Sequence, residues 1–314
     1  MKVVITGAAG FIGSHLADAL LERGDSVVGV DSFAPNYPRE AKERNLASAQ
    51  ESDRFDLREV DLLDQELDLV ALLEGADCLV HLAALTDARG SQEQFPLYEK
   101  LNVDLPRRLL AAAQGAGVGK IVLASSSAVY GGANRDGSPS SEADRLAPIA
   151  PYGQSKAEME EVAADVAAGG VPVVCLRFFT VYGSRQRPDM LCARTIAAAT
   201  GGPPLPLLGD GTQRRAWVHV SDAVSAIVAA LDTELAPGTV LNVGSPDIHE
   251  VRELIDLIAD LTGSEVAVER LDPHPADPAT TRADVARARE ALGWEPRVDL
   301  RLGLKEQIAW AKGE

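Results

Sequence analysis

Tyr152 and Lys156 sit in the run Pro151-Tyr-Gly-Gln-Ser-Lys156. Four residues apart, they would stand one turn from each other on the same helix face. A free tyrosine titrates near about 10 and is a poor base at neutral pH. A neighbouring ammonium favours the phenolate and brings the group toward its working range. Such a pair also recurs by chance on exposed helices, so its meaning rests on position. Upstream, Ser125-Ser-Ser-Ala-Val-Tyr-Gly131 closes the apolar run that starts at Lys120, which reads as a buried strand. Strand ends in an open parallel sheet face the ligand crevice. A serine there can hydrogen-bond the same substrate hydroxyl as Tyr152.

The N-terminus supplies the second constellation. Val3 to Thr6 reads as a strand with both faces buried, Gly7, Gly10 and Gly13 follow, and Ser14 to Arg23 carries apolar residues at helical spacing before Gly24. Strand, glycine turn and helix make a phosphate site from backbone N–H groups and the positive end of a helix dipole. The first glycine allows the tight turn, the second the approach of a pyrophosphate, the third the packing of helix on strand. The next strand, Ser26 to Val30, ends in Asp31. An acid there accepts the ribose hydroxyls of an adenosine and repels a 2′-phosphate, which favours NAD over NADP. Bare glycine spacing also suits a tight turn with no nucleotide; the strand, the helix and the acid together favour the dinucleotide. An oxidised nicotinamide beside Tyr152 would further favour its phenolate.

Stepping along the chain, strands are expected at 55–60, 77–83, 120–125 and 171–177, with helices at 65–73, 96–115 and 152–168. This alternation predicts an α/β fold, a doubly wound parallel (Rossmann) sheet. Beyond about residue 180 the pattern loosens, with a strand at 240–243, a helix at 251–261 and a Pro-rich crossing from Asp272 to Pro278. The expected organisation is a dinucleotide-binding domain over 1–179, to which the chain returns at about 216–243. Residues 180–215 and 244–314 would form a smaller mixed C-terminal substrate domain.

The 314 residues, 46% hydrophobic, suffice for one large domain or two intimately joined ones. No apolar run approaches the roughly 20 residues of a membrane helix, and polar residues and glycines break the signal-peptide-like start. The chain is expected to be mature and cytoplasmic. Cys78, Cys175 and Cys192 suit reduced core thiols, and the histidines show no ligand spacing, so no metal site is expected. A net charge of −17 disfavours nucleic acid as a partner. Arg185, Arg187, Arg194, Arg214 and Arg215 make a locally basic segment suited to an anionic substrate.

With Phe11-Ile12 between its last two glycines, the Gly-x-x-Gly-x-x-Gly run resembles the extended short-chain dehydrogenase/reductase family of NAD-dependent nucleotide-sugar epimerases and dehydratases. Asp31, Asp61-Leu62, His81-Leu-Ala-Ala84, Asn102, Ser125 to Gly131 and Tyr152/Lys156 follow in that family's order over most of the chain. The resemblance implies that Gly7, Gly10, Phe11, Ile12, Gly13, Asp31, Asp61, Leu62, Leu82, Ala83, Ala84, Asn102, Tyr152, Lys156 and Phe179 hold NAD. It implies Ser126 as the catalytic partner of Tyr152 and Lys156, with Ser127 as close competitor. It also implies a homodimer paired through helices 96–115 and 152–168.

Family dehydratases and many decarboxylating relatives carry acids after the catalytic Ser/Thr, where this chain has Ser127 and Ala128. Elimination needs an acid for the leaving hydroxyl, so a 4-epimerase working through a 4-keto intermediate is favoured. Leu176 to Met190, with Thr180 and Arg187-Pro-Asp-Met190, is similar to UDP-glucuronate 4-epimerases, as is Arg89. The resemblance implies a UDP-sugar site of Thr86, Arg89, Ser126, Ser127, Thr180, Arg187, Arg194, Leu205, Arg215 and Asp277. In it Ser127, Thr180 and Arg187 would hydrogen-bond the uronate carboxylate and hold it out of alignment for decarboxylation. Arg215 would take the diphosphate, Leu205 the uracil and Asp277 the ribose. The competing reading is that these arginines grip only the diphosphate. Two departures, Ala216 for a usual Asp and His274 for a second arginine, would shift the phosphate grip to Arg194 or Arg282. The alternatives are a UDP-glucose 4-epimerase, a UDP-glucuronate decarboxylase and, in another class, a non-catalytic NAD-binding regulator.

Overall fold

Val3, Val4 and Ile5 have no exposed surface, so the strand that carries them is covered on both faces. The computed structural model describes residues 1–87, 91, 94–132, 134, 137–275 and 277–313. The first half runs β1 (Lys2–Thr6), α1 (Phe11–Glu22), β2 (Ser26–Asp31), α2 (Arg39–Gln50), β3 (Phe55–Glu59), α3 (Leu69–Leu73) and β4 (Cys78–His81). Then come α4 (Phe95–Glu99), a π turn (Lys100–Asp104), α5 (Leu105–Gly115), β5 (Lys120–Ser126), a 3₁₀ turn (Ser127–Tyr130), α6 (Pro151–Ala168) and β6 (Val173–Phe178). The remainder is β7 (Thr180–Tyr182), α7 (Leu191–Ala199), β8 (Leu205–Leu208), β9 (Arg214–His219), α8 (Val220–Asp232), β10 (Thr239–Val243), β11 (Ile248–Glu250), α9 (Val251–Thr262), β12 (Val268–Leu271), α10 (Ala286–Leu292) and α11 (Leu300–Lys312).

Among the described residues seven strands form one sheet in the order β10-β6-β5-β4-β1-β2-β3, and every pairing in it is parallel. This is the expected doubly wound sheet. Side chains alternate across each strand, so Val3 and Ile5 meet Leu16, Leu20 and Ile227 of α1 and α8 on one face. Val4 faces the other way, with Leu79, Leu123, Leu109 and Met159 beneath α5 and α6. Each of these side chains contributes about 2 kcal/mol by leaving water. The strand order reverses beside β1, and in such sheets ligands bind outside the carboxyl ends of the strands at that point. Thr6, Asp31, His81 and Ser126 all stand at those ends.

A third core, with Tyr182, Ile196, Leu207, Trp217, Leu254 and Leu304, lies in the C-terminal part of the chain. It is framed by two small sheets, β11-β9-β7 and β12-β8. Within the returning stretch, β10 joins the main sheet and α8 packs on α1, whereas β9 pairs with β7 and β11.

Two expectations need correction. The helix expected over 65–73 is only Leu69–Leu73, because the Asp68 carboxylate accepts from the amides of Val70 and Ala71 and starts it there. The helix expected over 96–115 carries a π turn at Lys100–Asp104. The three cysteines are free and buried, as expected of core thiols. No helix among the described residues is long and apolar enough to cross a membrane.

Candidate active site

The glycine turn is fixed by close approach. Gly7 has φ +72°, and a β-carbon on it would lie 2.8 Å from the Ala83 amide nitrogen. On Gly13 a β-carbon would lie 2.2 Å from the Gly7 carbonyl oxygen. The Gly7 and Ala8 amides donate to Val30 O at 2.8 and 3.2 Å, which joins the turn to the end of β2. Gly10 is the N-cap of α1 and brings no side chain to the helix terminus, and Phe11 is buried directly behind it. Asp31, 9% exposed, accepts from the amides of Ala9 (3.1 Å) and Phe33 (2.8 Å). Lys42 Nζ lies 3.6 Å from its Oδ1. The cradle that a β-carbon would fill and the acid at the end of β2 together fit a dinucleotide.

Most of the other residues expected at the cofactor follow the carboxyl ends of β3, β4 and β6. Leu82 and Ala83 donate their amides to the Thr6 carbonyl and hydroxyl at 3.1 and 3.3 Å; with Ala84 and Ile12 they are half-buried. Leu62 is buried and Asp61 exposed, its Oδ1 accepting from the Leu63 amide at 2.9 Å. Asn102, in the π turn, is 1% exposed. It accepts from the Leu85 amide and donates to Leu85 O and Ser155 Oγ, each at 3.0 Å. The widened turn points this amide inward, where it clasps the loop after β4 to α6. Phe179 is buried, and its ring lies against Gly244.

Tyr152 is buried in the first turn of α6, where Pro151 starts the helix without needing an N–H partner. The Ser126 side chain is near enough to the phenol to favour its charged form; Ser126 also caps the 3₁₀ turn by accepting from the Ala128 amide at 3.1 Å. Of the two candidate serines, Ser126 is the one whose side chain acts on the phenol. Burial pushes Tyr152 above the ordinary tyrosine value, while Ser126 and the Arg187 guanidinium oppose that shift. Lys156 is buried one turn on from Tyr152 on α6, as the spacing predicts, and its Nζ donates to Ala124 O at 2.8 Å. Burial lowers Lys156 to about 8. Tyr98, missed in the sequence, packs edge-on to Tyr152 with ring centroids 6.4 Å apart and donates to Asp87 O at 2.7 Å.

Arg187 is held by Asp189 through two hydrogen bonds of 3.0 and 2.7 Å and donates to Thr86 Oγ1. Its segment is staked on both sides. His15 Nε2 is 3.0 Å from Ser184 O, Arg185 pairs with Asp18 at 2.7 Å, and Gln307 donates to Gln186 at 2.9 Å. His15, Asp18 and Gln307 were also missed, because each lies far from residue 187 in the chain. Thr180 and Ser127 are half-buried, and Leu205 is buried at the start of β8. Arg215 and Asp277, expected at a diphosphate and a ribose, are ion-paired with each other. Arg194 is near enough to Asp189 to favour its charged form. Arg282 Nε is buried without a hydrogen-bond partner. Arg89 lies outside the described residues.

Comparison with known proteins agrees with this geometry. The profile of the NAD dependent epimerase/dehydratase family matches residues 3–244. An uncharacterized UDP-glucose epimerase, YtcB of Bacillus subtilis, is 37% identical over 99% of this chain and 98% of its own. The crystal structure of UDP-glucuronic acid 4-epimerase from Bacillus cereus, in complex with UDP-glucuronic acid and NAD, is 35% identical. It superposes with a TM-score of 0.94, covering 100% of this chain and 99% of that one. MoeE5, solved with NAD and either UDP-glucuronic acid or UDP-glucose, is 40% identical with a TM-score of 0.88 over 100% and 99% of the two chains.

Proposed function

Because the chain belongs to the NAD dependent epimerase/dehydratase family, we propose that it inverts C4 of a UDP-sugar, most specifically converting UDP-glucuronate to UDP-galacturonate. In this reading the glycine cradle and Asp31 hold NAD, Leu62 and Ala83 border it, and the segments of Thr180–Asp189 and Leu205–Arg215 hold the nucleotide sugar. NAD supplies, when bound, a reversible hydride acceptor for C4 of the sugar. Tyr152 takes the 4-hydroxyl proton and later returns it to the same oxygen. Ser126 hydrogen-bonds that oxygen and keeps it aimed at the phenol. Lys156 keeps positive charge beneath the relay, which favours the phenolate.

The observation that carries the uronate is Arg187. Its guanidinium is near enough to Tyr152 to favour the phenolate, and it is fixed by Asp189 and Thr86. A planar cation there is complementary to a sugar carboxylate. The absence of an acid at Ser127 and Ala128 argues against dehydration. Incubation with UDP-glucuronate and chromatography of the products tests the reading. UDP-galacturonate is expected; UDP-pentose with CO2 would make the protein a decarboxylase. The UDP-glucose complex of MoeE5 favours a second reading, UDP-glucose 4-epimerisation, so UDP-glucose belongs in the same assay. We further propose the division into a domain of 1–179 with 216–243 and a substrate domain of 180–215 and 244–314. A homodimer joined through α4–α5 and α6 completes the proposal, to be checked by sedimentation.

A further inference from the structure

Behind Tyr152 and Ser126 runs a line of buried polar side chains that the proposed reaction does not use. Glu160 lies one turn beyond Lys156 on α6. Its carboxylate accepts from Ser125 Oγ and from two nitrogens of Arg177, at 2.9 and 2.6 Å. The third Arg177 nitrogen donates to the Tyr130 hydroxyl at 2.7 Å, which donates to Asn242 Oδ1 at 2.7 Å. Asn242 Nδ2 donates to the carbonyls of Ser140 (2.9 Å) and Asp284 (3.0 Å), and its amide donates to Glu142 at 2.7 Å. Glu160 is 8% exposed, Arg177 4% and Asn242 0%.

An ion pair this deep loses much of its Coulombic gain to desolvation, and apolar residues of similar volume would stabilise a fold as well. Its place suggests what else it does. Ser125 precedes Ser126, whose side chain acts on Tyr152. Tyr130 ends the 3₁₀ turn that Ser126 caps. Lys156 is faced by His81 from β4, Cys175 from β6 and Glu160 from its own helix, with Arg177 beyond. Burial holds His81 neutral by lowering it to about 3 and keeps the Cys175 thiol protonated. Among those groups Glu160 is the anion.

We propose that Glu160 is a positioning residue for the proton relay: it anchors the end of β5 behind Ser126, supplies the negative charge that keeps Lys156 an ammonium, and ties both to segments 140–142 and 284 through Arg177, Tyr130 and Asn242. The inference rests on the relay assigned above, whichever UDP-sugar is turned over. Wild-type turnover of UDP-glucuronate and UDP-glucose is therefore measured first. If wild type turns over neither, the function reading fails on its own.

With an active wild type, Glu160→Gln is expected to lower kcat about 10-fold or more at neutral pH, with KM within about twofold. The alkaline limb of its kcat profile should move to lower pH by about half a unit or more, because the lost anion had favoured the ammonium. Glu160→Asp should restore the limb. Nitrogen NMR of lysine-labelled protein, with the Lys156 signal assigned by its loss in Lys156→Met, should show the same downward move without turnover. A folded Glu160→Gln that is less stable but has the wild-type limb and Lys156 titration would overturn the proposal. If that variant does not fold, Ser125→Ala keeps the ion pair and removes only the anchor. A kcat lowered about threefold or more at constant KM supports the proposal, and an unchanged kcat refutes it.

Discussion

At Gly13 a β-carbon would fall 2.2 Å from a backbone carbonyl, whereas Arg187 reaches Thr86 along a side chain of rotatable bonds, steered by Asp189. The proposed coenzyme cradle is thus made of backbone, and its tolerance is a fraction of an ångström. The proposed substrate edge is made of charged side chains, Arg187 on Asp189 and Arg215 on Asp277, which can exchange one partner for another. A cradle of the first kind suits a coenzyme that stays bound through the reaction. An edge of the second kind suits a ligand that enters, turns over and leaves. Damage to the cradle should appear as lost coenzyme and stability. Damage to the edge should appear as altered substrate preference in a stable, loaded protein.

In the proposed site Tyr152 acts on both coenzyme and sugar, and its loss should have the largest effect. Tyr152→Phe is expected to lower kcat about 100- to 10,000-fold, while NAD retained through purification stays at the wild-type level. Full activity in that variant would remove the assigned base and the boundary with it. Next in size, Arg187→Met should lower kcat/KM for UDP-glucuronate about 10- to 100-fold, the loss of a charge-assisted hydrogen bond of about 1.5–3 kcal/mol. Turnover of UDP-glucose should change little in comparison. Equal losses on both sugars would mean that Arg187 grips the diphosphate. Gly13→Ala should destabilise the protein by about 1–3 kcal/mol through overpacking and strip its NAD, read by thermal unfolding and by the absorbance of released coenzyme. If the variant keeps both, the cradle is softer than its distances imply.

The same contrast explains what could be read from the chain. Strand, glycine turn, helix and acid were legible because each is demanded by a local backbone requirement, and those requirements lie within Lys2 to Asp31. Tyr152 and Lys156 were singled out by spacing and a serine by the strand end that precedes them, while the preference for Ser126 over Ser127 came from the family resemblance. The small sheets were not. Their strands are short, from Thr180–Tyr182 to Arg214–His219, and β8 pairs with a β12 some sixty residues away, so neither periodicity nor a hairpin turn marks them. Two signals were present and not used. Arg177 interrupts a wholly buried strand of otherwise apolar residues, which requires a partner of opposite charge. Glu160 continues the spacing of Tyr152 and Lys156 on the inward face of α6. Together they locate the ion pair without coordinates.

The smallest effect concerns Lys156, where the relay meets the core. Burial lowers this lysine from 10.5 to about 8. Between those values the unfolded chain holds a proton that the folded chain has released, so this group makes stability rise with pH across the window. The buried thiols act in the opposite direction. Cys175 and Cys192 are pushed up from 9.0 by burial. Above that value their unfolded forms ionise first, and stability falls. The total curve mixes the two signs, but Lys156→Met removes only the lysine. The stability of wild type minus that of Lys156→Met, from urea unfolding at several pH values, should therefore climb from about pH 8 to about pH 10.5. A flat difference would mean that the ammonium keeps its proton in the folded core, and that the lysine belongs with the rigid cradle.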